Sequence, residues 1–173
     1  MNYTKMIKNR LLIIVGLVVV SSIFVLITVL DDGFRKYDND IYQITYEKNW
    51  KVTTKGKNSI LTHKSGCKYS VNVMDLEDEY RMSSLAEVVD DIIEKVENDN
   101  PRYRLVNKEE TSIGKGAYEA YQFLYEADDA QSMITICKRN NRVYVINYYA
   151  TDDKFDIILD SVKDMNYKFE ILI

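Results

Sequence analysis

The chain has 173 residues, a formal net charge of −4, 46% hydrophobic and 29% charged residues, one Pro and six Gly. That length suits one domain with an accessory segment, and that balance excludes a disordered chain. The charge is uneven: residues 1–30 carry Lys5, Lys8 and Arg10 and no acid, so the remaining 20 basic and 27 acidic residues leave the rest at −7, a sign that repels phosphate backbones and argues against nucleic-acid binding.

Residues 11–30, LLIIVGLVVVSSIFVLITVL, contain no charge. At ~1.5 Å per residue a helix of this run spans roughly 30 Å, the thickness of a bilayer's hydrocarbon core. Basic residues precede it and Asp31 and Asp32 follow. The expected organisation is a cytoplasmic tail over 1–10, a single-pass signal anchor over 11–30, a polar linker over 31–40, and an extracytoplasmic domain over 41–173 on the cell membrane. Cleavage is the rival reading, but bulky Leu30 stands where a signal peptidase wants a small residue. No Cys follows that could carry a lipid, and KNRLLIIVGLV lacks the Gly-Phe cut and early Glu of a pilin.

Beyond the linker, IYQITY (41–46) alternates at strand period, and EKNW turns the chain to deliver Trp50. NSILTHK and CKYSVNVMDL read as two more strands. SSLAEVVDDIIEKVEND is the clearest helix: Leu85, Val88, Val89, Ile92, Ile93 and Val96 make one apolar stripe, Ser84 and Glu87 a capping box, and Asn100-Pro101 the stop. YRLVNKEETSI then leads through GKG into AYEAYQFLYEA, and SMITICKR and RVYVINYYA flank an Asn-Asn turn. A second amphipathic helix follows, with Phe155, Ile158, Leu159, Val162 and Met165 on its stripe and Asp152 and Asp153 as caps. Short sequential strands and two one-sided helices define an α+β domain, an antiparallel sheet with helices packed on it.

Few residues carry recognisable chemistry. His63, the single histidine, reads as a surface strand residue, with no nucleophile motif to serve. Cys67 and Cys137 are too few, with one His, for a structural zinc site. Outside the cell they would either form a disulfide closing a loop of about 70 residues, for roughly 4 kcal/mol, or remain two thiols in the core. The acidic pairs read as solvated faces and caps, leaving Asp75, Glu77 and Asp78 as the one calcium candidate. No cofactor and no catalytic set is expected. Tyr118, Tyr121, Tyr125, Tyr144, Tyr148 and Tyr149 crowd the late strands. Their rings either pack under the helices or line a surface for a protein partner.

Three stretches resemble the PsbP-like domain, found widely in bacterial exported proteins of unknown role. They are YQITYEKNW, with Glu47 where that family usually has Pro, SIGKGAYEAYQFLYEA, and NNRVYVINYYATDDKFDIILDSVKDMNYKF. The resemblance covers residues 41–169 and implies an α-β-α sandwich, a closing extended piece after the last helix, and a non-enzymatic binding role. The expected function is therefore a membrane-anchored extracytoplasmic binding domain, serving protein–protein interaction or envelope assembly. The alternative is a small-ligand binding or sensing domain with a pocket between sheet and helix.

Overall fold

The computed structural model describes residues 33–77 and 80–172. The described chain runs β1 (Phe34–Asp38), β2 (Tyr42–Glu47), β3 (Trp50–Lys55), β4 (Asn58–His63), β5 (Lys68–Asp75), α1 (Leu85–Asp99), β6 (Arg104–Ile113), β7 (Tyr118–Glu126), β8 (Ala130–Arg139), β9 (Arg142–Thr151), α2 (Asp152–Tyr167) and β10 (Glu170–Ile171). The segments expected to form the tail and the anchor, 1–10 and 11–30, lie outside the described residues. Among the described residues no helix is long and apolar enough to cross a membrane.

Seven strands form one sheet in the order β3-β4-β5-β9-β8-β7-β6, and every pairing in it is antiparallel. α1 carries the chain from β5 to the far edge at β6. The meander β6 to β9 then returns until β9 pairs with β5. A small sheet, β1-β2-β10, stands apart.

The period of two divides the side chains of the large sheet between two cores. One side packs Leu61, Tyr69, Val71, Tyr144, Ile146 and Tyr148 against Tyr42 and Ile44 of β2 and Phe155, Val162 and Met165 of α2. The other packs Phe123, Ile134, Ile136 and Val143 against Val88 and Val89 of α1. Helices therefore cover both faces, the α-β-α order that the resemblance implied. Both helical stripes bury as their spacing requires, and the capping box forms, with Glu87 N–H on Ser84 Oγ at 3.3 Å and Ser84 N–H on Glu87 Oε2 at 2.7 Å.

Three local readings are corrected. Residues 34–38, placed in the linker, are strand β1. An Asx turn joins it to β2: Asn39 Oδ1 accepts from the N–H groups of Ile41 and Tyr42 at 3.2 and 3.1 Å, and the Tyr37 ring lies 6.1 Å from that of Tyr42. Trp50 does not merely end a turn, because it opens β3, paired with β4 from Trp50↔His63 to Lys55↔Asn58. At α2 the cap position belongs to Thr151, and Asp152 and Asp153 occupy the first turn, where carboxylates suit the helix dipole.

Candidate functional site: a cleft at the end of helix α1

α1 is shorter than the surface it covers. Asn100 closes it, its Nδ2 donating to the Val96 carbonyl at 2.9 Å, and Tyr103 N–H returns to the Asn100 carbonyl at 3.0 Å. The sheet continues past that point. Register aligns Tyr125, Ser132 and Tyr149 in one row, and places Ile134 opposite Asn147 in the next. With Val145 and Val96 these residues enclose a cleft of about 220 Å³, rimmed also by Asn72, Asn100 and Tyr103.

The floor is apolar and the rim is neutral and polar. Ser132 Oγ donates to Asn147 Oδ1 at 2.6 Å. Tyr125 donates to Glu97 Oε1 at 3.3 Å. Burial, and then Glu97, push the Tyr125 phenol up to about 12, so it stays protonated. Burial also raises Tyr103, with Tyr149 and Asp129 acting the same way. Amides, a hydroxyl and phenols around an apolar floor can orient a small uncharged ligand.

The six tyrosines do not share a surface. Tyr144 and Tyr148 point into the α2-side core, where Tyr148 donates to the Phe155 carbonyl at 2.9 Å. Tyr118 packs against that core, and its hydroxyl accepts from Ile171 N–H at 3.2 Å. Tyr121 and Tyr125 face α1, Tyr121 donating to Glu110 at 3.2 Å. Tyr149 lines the cleft with Tyr125. Alternation along each strand forces this split, so the six rings do not lie on one face.

Cys67 and Cys137 are both buried and both free. Cys137 faces Tyr144, which faces Val73, six residues along from Cys67. At about 3.3 Å per strand residue that is roughly 20 Å along the sheet, far beyond the Cα separation of about 7 Å that a disulfide can bridge. Burial pushes the Cys137 thiol up to about 12, which makes it a core residue rather than a nucleophile.

His63 is not on the surface. It shares parity with Leu61 and lies buried with its ring 5.1 Å from that of Trp50. Its Nδ1 accepts from Ser65 N–H at 3.2 Å and sits 2.7 Å from Ser65 Oγ, an arrangement that needs neutral imidazole. Burial first, then Lys64, lower its pKa below the ordinary 6.5. The folded state thus binds this proton less readily than the unfolded chain, so the contribution is complete above pH 6.5 and lost as pH falls below it. Urea unfolding should show stability dropping from pH 7.5 to 5.5 in the parent and a flatter profile in His63→Gln. An unchanged slope in the variant would refute this role.

Among the described residues no group of three carboxylate, His or Cys ligands gathers at the calcium candidate. Both oxygens of Asp75 are engaged, Oδ2 by Lys57 and Oδ1 by Arg142 at 3.2 Å, and these cations hold its carboxyl below the usual range. Asp78 lies outside the described residues, and Asp90 faces Lys108 at 3.3 Å.

Comparison with solved structures places this architecture. CyanoP, the cyanobacterial PsbP of Synechocystis sp. PCC 6803, matches with a TM-score of 0.62 at 12% identity, over 80% of this chain and 92% of that one. LpqN of Mycobacterium tuberculosis, a protein involved in cell envelope biogenesis, matches at 0.54 and 11%, over 83% and 88%. PA94 of Pseudomonas aeruginosa, a protein of unknown function, matches at 0.51 and 12%, over 78% and 94%. The fold is therefore PsbP-like. No protein-family model and no curated protein matches the chain.

Proposed function

We propose that the chain is a non-enzymatic binding domain, held on the outer face of the cytoplasmic membrane by residues 11–30, that takes a small neutral ligand in the cleft beside α1. The cleft is the observation that carries this reading. It joins an apolar floor of Ile134 and Val145 to amide and hydroxyl groups that can read a ligand's orientation. The tyrosines, which would have offered a surface to a protein partner, divide between the two faces of the sheet, and Tyr125 and Tyr149 line the cleft instead. The charge step from Arg10 across the apolar run to Asp31 supports the anchor. An envelope role would also agree with that of LpqN, at the level of fold alone.

The test is mass spectrometry of the full-length chain extracted gently from its own cells. The expected result is a co-purifying small molecule that Tyr149→Ala loses, with peptides from before Asp31 present. A crosslinked protein partner with no small molecule would return the reading to assembly. A mature N-terminus at or beyond Asp31 would remove the anchor.

A further inference from the structure

Helix α1 covers only part of its side of the large sheet. Val88 and Val89 pack on Phe123 of β7, Ile134 and Ile136 of β8 and Val143 of β9. The three strands beyond, β5, β4 and β3, make an uncovered strip roughly 14 Å wide at about 4.8 Å per strand, room for one helix of about 10–12 Å. Alternation sets Lys51 and Lys55 of β3, Ile60 of β4, and Lys68 and Met74 of β5 on that strip, all exposed, since Leu61, Tyr69 and Val71 turn to the α2 side. Registry places Lys51, Thr62 and Lys68 in one row and Thr53, Ile60 and Ser70 in the next. No acidic residue shares this face of the three strands. Lys51, Lys55 and Lys68 have no ion-pair partner among the described residues.

The outer side of α1 has the opposite charge. LAEVVDDIIEKVEND holds six acids and one base. At about 100° per residue, Asp90, Asp91 and Glu94 stand away from the apolar stripe. Asp90 meets Lys108, while Asp91 and Glu94 have no ion-pair partner among the described residues. One chain thus carries a lysine face and, beside it, an acidic helix that would fit such a face. We propose that the chain forms a two-fold dimer in which α1 of each copy lies on the β3–β4–β5 face of the other. Two sheets then enclose two helices side by side. Each α1 keeps its apolar stripe on its own sheet, turns Asp91 and Glu94 to the lysines of the second copy, and covers Ile60 and Met74 there. Such a contact is self-complementary, as two-fold symmetry requires. The lengths agree, since the 15 residues of α1 run about 22 Å and the strip from Lys68 to Met74 about 20 Å. Two contacts of this size, counted on both copies, bury roughly 1,100 Å², enough for a specific interface of modest strength.

The test is sedimentation equilibrium of the full-length chain in neutral detergent, at concentrations up to about 100 μM. A dimer is expected. Lys51→Glu with Lys68→Glu, and separately Asp91→Lys with Glu94→Lys, should each weaken it about tenfold or more, because like charges then meet. Mixing the two double variants should restore a dimer, since the new glutamates of one face the new lysines of the other. A misfolded variant cannot give that recovery. A parent chain that stays monomeric, a dimer that both variants retain, or a mixture that does not pair would overturn the proposal.

Discussion

Gly114→Ala should destabilise the domain by about 3 kcal/mol or more, read as a shift in urea midpoint. Two terms add. Gly114 sits at φ +62°, where a side chain costs about 1–2 kcal/mol. Its Cβ would also enter the Tyr118 ring and come within 2.8 Å of the Phe169 carbonyl. Overpacking of that kind costs typically 1–3 kcal/mol. Neither neighbour can retreat cheaply. Tyr118 is tied to Ile171 N–H, and Phe169 stacks on Tyr42 at 5.5 Å. Gly116, also at positive φ, has open space around it, with Ser112 Oγ nearest at 3.9 Å. Gly116→Ala should therefore cost only the backbone term. If the two variants prove equally stable, the packing half of the argument is wrong.

Asn166→Leu should cost about 3 kcal/mol through a different mechanism. Asn166 is a buried polar residue of α2, accepting from the Tyr69 hydroxyl at 2.9 Å and donating to Thr135 Oγ1 at 3.4 Å. Leucine strands that hydroxyl in the core, at about 1–3 kcal/mol for the unsatisfied group beyond the lost bonds. Burial first, then Tyr42 and Cys137, hold the Tyr69 phenol well above its ordinary range, so it cannot escape by ionising. Tyr69→Phe on the leucine background should recover part of the loss, because both ends of the bond are then apolar. Strict additivity of the two changes would show that the bond does not couple them.

Strong periods were legible in the sequence. The stripe from Leu85 to Val96 and the Asn-Asn turn gave α1 and the β8–β9 hairpin close to their bounds. β1 was not legible, since FRKYD has no alternation and its strand state depends on pairing with β2. His63 was misread because its burial comes from Trp50, its partner across the β3–β4 pair, and a pairing between strands is not visible within either one. Parity within a strand already separates Tyr118 from Tyr121 and Tyr125, but which face meets which helix depends on registry between strands, which the sequence does not display. The cleft was hidden more deeply. Asn72 and Asn147 are polar interruptions in apolar strands, a weak signal, and only the end of α1 over those rows turns them into a lining.

The pairing pattern also governs how the chain can be made. Gln43 meets Glu170 across 127 residues, and Asp75 meets Arg142 across 67. At synthesis rates of about 5–20 residues per second, 127 residues take roughly 6–25 s to appear. Until β9 is made, 67 residues after Asp75, β5 has one partner and one open edge, and until α2 follows it Tyr42 and Ile44 have no helix to bury them. Topologies of such long sequence separation fold slowly even when complete. The nascent chain therefore presents a bare strand edge and an apolar face for seconds.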